Sequence, residues 1–290
     1  MEPAGTRAAA HYDRVTEVWA RWIMGEELHY GYFTSPEDSL AEATQRLTAH
    51  LAERAELSPG LEVLDVGCGV GTPAIALAAG AGVRVTGIST SAAGLELARA
   101  RAAEVTERVR FELRDATATG FADACFDRVF SLESAHLMDK ERLFRECFRV
   151  LRPGGRLALC DCCLVGPFQS EAAQIARYAA LGHSAPVAAR MRDVVHAAIH
   201  RAFGSTVLTH ASAYAAAARA AGFVDVEVED LSRETRPTLE RWGENAARHE
   251  AEIAAALGAD YLADFFMALL HLSFGWGQSG GYLVLSARRP

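Results

Sequence analysis

Three glycines stand at alternate positions in the stretch Asp65-Val66-Gly67-Cys68-Gly69-Val70-Gly71-Thr72. Glycines at a strand-to-helix turn let the backbone come close to a ligand. Their register limits what that ligand can be. A dinucleotide turn needs G-x-G-x-x-G, whose third glycine permits close packing of the following helix. Counted from Gly67, the sixth position here is Thr72, and the spacing is G-x-G-x-G. Asp65 stands two residues before the first glycine, where a carboxylate repels a pyrophosphate and attracts an ammonium group. Cys160, Cys162 and Cys163 form a second dense group. Their C-x-C-C spacing does not match the usual zinc patterns, so packing thiols with no metal are expected.

The loop has to be carried by a strand and a helix, and the chain supplies both. "LEVLDV" reads as a short buried strand and "PAIALAAGA" as a helix start. "VRVTGI", "VRFELRD", "FDRVFSLES" and "RLALCDCC" follow as four more strands. Helices "SAAGLELARARAAEV" and "DKERLFRECFRVL" separate them, the second with Leu143, Cys147, Val150 and Leu151 on one face. Alternation of this kind predicts an α/β fold with a mainly parallel, doubly wound sheet, whose ligands sit at the carboxyl ends of the strands. Upstream, residues 11–33 read as a helix ending in "LHYGYF". Ser35, Pro36 and Asp38 then read as a capping box opening a helix that runs to about Leu57. Downstream, 166–210 and 236–275 read as helical cover over the ligand end. The helix "ASAYAAAARAAGF" and the strand "VDVEVEDL" lie between them, and "GYLVLSARR" is the last strand. The expected division is 1–57 as an N-terminal cap, 58–165 as the cofactor-binding core, 166–210 as substrate cover, and 211–290 as completion of the sheet with 236–275 inserted.

Bulk properties narrow the function classes. The chain has 290 residues, a formal net charge of -8 and no basic stripe, which argues against a phosphate backbone as partner. The N-terminus has no apolar h-region and no stretch approaches 18 uncharged apolar residues, so neither a secretory signal nor a membrane span is expected. Six cysteines without an export signal fit reduced thiols in a cytoplasmic protein.

The glycine loop from Asp65 to Thr72 resembles motif I of class I S-adenosylmethionine-dependent methyltransferases. "LRDAT" at 113–117 is similar to the family segment in which an acidic side chain and the next backbone N–H hold the adenine. "FDRVFSLESAHLMDKERLFRECFRVLRPGGRLALCD" is similar to the family's fourth strand, helix and fifth strand. "LHYGYF" resembles the cofactor-covering segment of the small-molecule branch, which includes natural-product sugar O-methyltransferases and the tocopherol and sarcosine types. The resemblance implies a Rossmann-like seven-stranded sheet with an antiparallel last strand and S-adenosylmethionine as cofactor. It assigns Tyr30, Tyr32, Asp65, Gly67, Cys68, Gly69, Gly71, Asp115, Ala116 and Glu133 to the cofactor. One departure stands out: "VTGISTS" carries no carboxylate after the second strand, where many members hold the ribose, which leaves Ser89 as the ribose candidate.

Methyl transfer is an in-line displacement, and a hydroxyl acceptor must also lose a proton. In the sugar O-methyltransferases that the chain resembles, a histidine at the place of His136 is a proposed base, and Asp161 matches an acidic position. Glu133 is a second acid or base. O-methylation of a small secondary metabolite is therefore expected. The rivals are C-methylation of an isoprenoid diphosphate or activated carbon, N-methylation, and a cyclase-like relative that binds the cofactor without transferring its methyl. Arg192, His196 and His200, spaced by four, could give a diphosphate a basic helix face, and the cover aromatics Tyr178, Trp242, Phe265, Phe266 and Trp276 would suit C-methylation. Exposed cover helices could pair two copies into a homodimer.

Overall fold

The computed structural model describes residues 4–104, 107–166, 171–204, 206 and 208–290. Val105, at the end of the second expected helix, and residues 167–170, 205 and 207 of the expected cover lie outside them.

Seven strands form one sheet: β1 (Glu62–Val66), β2 (Arg84–Ser89), β3 (Val109–Leu113), β4 (Phe126–Leu132), β5 (Leu151–Leu164), β6 (Val224–Asp230) and β7 (Gly280–Arg288). Their spatial order is β3-β2-β1-β4-β5-β7-β6. The first five run parallel, and β7 is antiparallel to both neighbours. The chain winds outward from β1 to β3 and then crosses back to β4, so a crevice opens beyond the ends of β1 and β4.

Helices α3 (Thr72–Gly80), α4 (Ala92–Arg101) and α5 (Lys140–Val150) connect these strands. The predicted face of α5 is inside: Leu143, Cys147, Val150 and Leu151 are all buried, beside α8 (Ala211–Ala220) and its Tyr214. The opposite face of the sheet carries the N-terminal elements and the cover. The cover consists of α6 (Glu171–Ala179), α7 (Ala185–Phe203), a short α9 (Ser232–Thr235), α10 (Pro237–Arg248), α11 (Glu250–Leu257) and α12 (Ala259–Gly275). Trp19, Trp242, Phe265, Trp276 and Tyr282 share one core there. Among the described residues no single helix is long and apolar enough to cross a membrane.

Three local expectations need correction. The helix expected over 11–33 is α1 (Ala4–Val18) followed by a π-helical turn at Trp19–Ile23, and residues 24–39 form a non-helical strap. The next helix, α2 (Leu40–Arg54), is capped by Ser39 instead of Ser35. Ser39 Oγ accepts from the Glu42 N–H while Glu42 accepts from the Ser39 N–H at 2.9 Å, a complete box one motif downstream. Half of the expected box does form, since Asp38 accepts the Ser35 N–H, but Asp38 also takes the Thr34 N–H and pairs with Arg46 at 2.8 Å, and no helix starts at Pro36. Leu151, expected as the last residue of the helix "DKERLFRECFRVL", instead opens β5 by pairing with Phe126, and the register shifts across the P-G-G that follows.

Candidate active site

Between β1 and α3 the glycine loop bends under two constraints. Gly67 has φ +76°, and a Cβ there would stand 2.1 Å from Ser134 Cβ. Gly71, at φ +80°, starts α3 against Phe111 and Ala98, where a Cβ would meet atoms at 2.6 and 2.8 Å. Gly69 has nothing within 4 Å on its open side. That side faces a cavity of about 340 Å³ at the sheet's switch point.

Asp65, Gly67, Cys68, Gly69, Ser89, Asp115, Ala116 and Glu133 all line this cavity. Asp65 is 2 % exposed and its Oδ2 has no hydrogen-bond partner. Burial pushes its carboxyl up to about 7. Asp115 spends one oxygen on the Thr117 N–H and hydroxyl, both at 2.8 Å, and keeps the other. An unpartnered buried carboxylate oxygen, an open glycine backbone and a distal carboxylate fit the amino-acid and adenine ends of S-adenosylmethionine. Asp65 would take the ammonium group, Asp115 and the Ala116 backbone the adenine.

The covering segment behaves differently from expectation. Tyr30 is 4 % exposed and does not line the cavity. Its ring stacks on Trp276 at 4.8 Å and lies 4.7 Å from Trp242. Only its backbone N–H reaches the site, donating to Glu133 Oε1 at 2.6 Å. Tyr32 packs edge-on against His50, away from the cavity, and Gly71 sits behind the wall. Both tyrosines are drawn into packing because an aromatic core is already present on that face. Tyr12 and Thr16 of α1 and Leu28 and His29 of the strap line the cavity instead. His29 is buried with Glu27 at 2.8 Å, and Thr48 donates to the same carboxylate. The i, i+4 spacing of Tyr12 and Thr16 puts them on one helix face, but no signal in the sequence says that this face meets the cavity.

At the end of β4, Glu133 takes the left-handed region at φ +52°. Its Oε1 also accepts from the Tyr282 hydroxyl at 2.7 Å, and burial pushes its carboxyl up to about 7. Three residues on, His136 is joined to Asp161, which is wholly buried. The His136 backbone N–H donates to Asp161 Oδ2 and Nδ1 meets Oδ1, both at 2.6 Å. The Cys162 N–H and the Tyr214 hydroxyl donate to the same carboxylate at 2.8 and 3.3 Å. Burial works to lower the His136 pKa, but the charge and hydrogen bond of Asp161 outweigh it and raise the value. With Nδ1–H committed to Asp161, Nε2 is left as the acceptor. His136 and Asp161 are not themselves on the cavity wall, which the neighbouring Glu133, Ser134, Leu137 and Met138 line.

Other candidates come apart in three dimensions. Arg192 pairs with Glu171 at 3.0 Å and with Asp193, and His196 is pulled down by burial and by Arg192 and His200. The expected basic face is thereby largely neutralised. Tyr178 bonds His271, while Trp242, Phe265 and Trp276 are core. Cys160 Sγ lies 3.3 Å from the Tyr282 hydroxyl, whose proton goes to Glu133, and Cys163 lies in the core on the other face. All six cysteines are free thiols.

A family model described as mycolic acid cyclopropane synthetase matches residues 2–279. The chain is 39% identical over 294 residues to the 27-O-demethylrifamycin SV methyltransferase of Amycolatopsis mediterranei, covering 100% of this chain and 99% of that protein. Its fold is similar to the crystal structure of the [4+2]-cyclase SpnF, with a TM-score of 0.80 and 28% identity over 99% of this chain and 97% of that one. It also matches mycolic acid cyclopropane synthase CmaA1, crystallised with S-adenosylhomocysteine, with a TM-score of 0.83 and 18% identity over 99% of both chains. With the glycine loop, the buried Asp65 and the sheet order in agreement, the chain belongs to the mycolic acid cyclopropane synthetase family and is an S-adenosylmethionine-dependent small-molecule methyltransferase.

Proposed function

We propose that the enzyme methylates a hydroxyl oxygen of a natural product, with His136 as general base and Asp161 as its orienting partner. The observation that carries this reading is the double hydrogen bond between His136 and Asp161. The buried carboxylate fixes the tautomer with Nε2 free, and its charge stabilises the imidazolium that forms when the proton is taken. The bound cofactor supplies an electrophilic methyl on a sulfonium. The acceptor O–H gives its proton to Nε2 while its oxygen pair forms the new C–O bond, and the C–S bonding pair stays on sulfur. The name of the Amycolatopsis relative, an O-directed methyltransferase, supports oxygen as acceptor. The paired state of Arg192 gives no support to a diphosphate. We assign cofactor binding to 58–165, with 1–57 closing over it, and acceptor selection to the cover at 166–210 and 236–275.

Incubation with methyl-labelled cofactor and a panel of hydroxylated natural products tests the reading. Label on oxygen, lost in His136→Ala with cofactor affinity unchanged, is the expected result. Label on carbon or nitrogen overturns the choice of acceptor atom. Likeness to SpnF supports a second reading, ring closure without transfer. Turnover of a polyene with no release of S-adenosylhomocysteine would favour it.

A further inference from the structure

The sheet's second strand runs out through Ser89 into Thr90 and Ser91, three hydroxyls and no carboxylate, on the wall of the cofactor cavity. A ribose there presents a vicinal diol, two O–H groups that need acceptors. The structure brings a carboxylate to this place from another element. Asp13 of α1 accepts the hydroxyl proton of Ser91, 78 residues further along the chain.

The hydrogen-bonding capacity of Ser91 can be accounted for atom by atom. A serine hydroxyl has one proton and two lone pairs. The proton goes to Asp13 Oδ1. One lone pair takes the Gly94 N–H at 3.0 Å, which caps α4. The second lone pair remains, on a side chain that is 7 % exposed and lines the cavity. Because the carboxylate holds the proton, Ser91 Oγ can meet the ligand only as an acceptor. Ser89 is organised by the same unit, since its Oγ accepts the Ser91 N–H at 3.1 Å and so keeps its own proton to donate. Gly94 keeps the place open: a Cβ there would stand 3.1 Å from Ser91 Oγ and 3.2 Å from the Gly69 carbonyl.

We propose that Asp13 is the ribose-positioning carboxylate of this enzyme, acting from α1 through Ser91 in place of the acidic residue that β2 lacks. Asp13 does not itself line the cavity, whereas Tyr12 and Thr16 on the same helix do. Docking of α1 therefore closes the cavity and sets the polarity of the ribose wall in one contact.

The test is calorimetric titration of the full chain with S-adenosylhomocysteine and with its 2′-deoxy and 3′-deoxy analogues. The wild type should prefer the parent nucleoside over at least one deoxy analogue by about tenfold, the range of a hydrogen bond to a polarised group. In Asp13→Ala that preference should collapse toward unity, with affinity for the same deoxy analogue held within about twofold. Ser91→Ala should behave alike, and Asp13→Asn, which keeps a carbonyl acceptor, should retain part of the preference. An unchanged preference in Asp13→Ala overturns the proposal. So does an equal loss for all three ligands, which would make Asp13 a docking contact only, and so does a wild type that does not distinguish them.

Discussion

Asp161 holds His136 at two points, the ring Nδ1 and the backbone N–H, each at 2.6 Å. Ring orientation and tautomer are set by one wholly buried carboxylate that a strand of the central sheet carries. The imidazole is therefore fixed before any acceptor arrives, which is the arrangement the proposed proton transfer requires.

The pH profile should report this contact. With neutral His136 as the proposed base, kcat/KM should rise with pH through its pKa. Asp161 raises that pKa, which puts the rising limb above the ordinary value of 6.5. Asp161→Asn should move the limb to lower pH and reduce kcat by about a hundredfold or more, within the range for general-base catalysis. A limb that stays in place in the variant would show that another group titrates.

Cofactor affinity should depend on pH through Asp65, whose carboxyl burial pushes up to about 7. If Asp65 takes the ammonium group, its ionised form is the one that attracts it, so affinity for S-adenosylhomocysteine should weaken as pH falls below about 7. Calorimetry at pH 6 and 8 would measure the difference, and Asp65→Asn should remove it together with most of the affinity.

The same group should cost stability. A folded-state pKa above the unfolded value of about 3.9 means that the native state binds the extra proton, so stability falls as pH rises from about 4 to about 7. Asp65→Asn should therefore melt a few degrees higher than wild type at pH 8 without ligand and show no such gain below pH 4. Thermal denaturation at the two pH values checks both signs.

Glu133 ties the strap to the sheet by taking the Tyr30 N–H and the Tyr282 hydroxyl on one oxygen. Glu133→Gln keeps a carbonyl acceptor and should be tolerated, whereas Glu133→Ala strands both donors. Urea denaturation should show a loss of about 2 kcal/mol or more for the alanine variant, the scale of unsatisfied buried groups.

Tyr30 separates motif from geometry. Its ring stacks on Trp276 and does not reach the cavity, so Tyr30→Phe should bind S-adenosylhomocysteine within about twofold of wild type. Tyr30→Ala should cost about 3–5 kcal/mol of stability, as for other buried aromatics. A large affinity loss in the phenylalanine variant would mean that the hydroxyl touches the cofactor.

What the sequence determined by itself is local. The spacing of Gly67, Gly69 and Gly71 after an apolar run, the strand–helix alternation from 61 to 165 and the buried face of α5 all follow from backbone conformation and hydrophobic period, which act over a few residues. The Ser35 box shows the limit of such reasoning. Two consecutive boxes fit the pattern, and the Arg46 contact to Asp38 comes from the next helix. The tertiary structure alone decided that Tyr12 and Thr16 line the cavity while Asp13 between them meets Ser91, that Tyr30 turns into the aromatic core, and that Arg192 is paired with Glu171. The physical reason is shared by all three. A helix period says which residues lie on one face, but the wall that face meets is chosen by packing between segments far apart in the chain, and a charge or ring has no fixed role until that neighbour is in place.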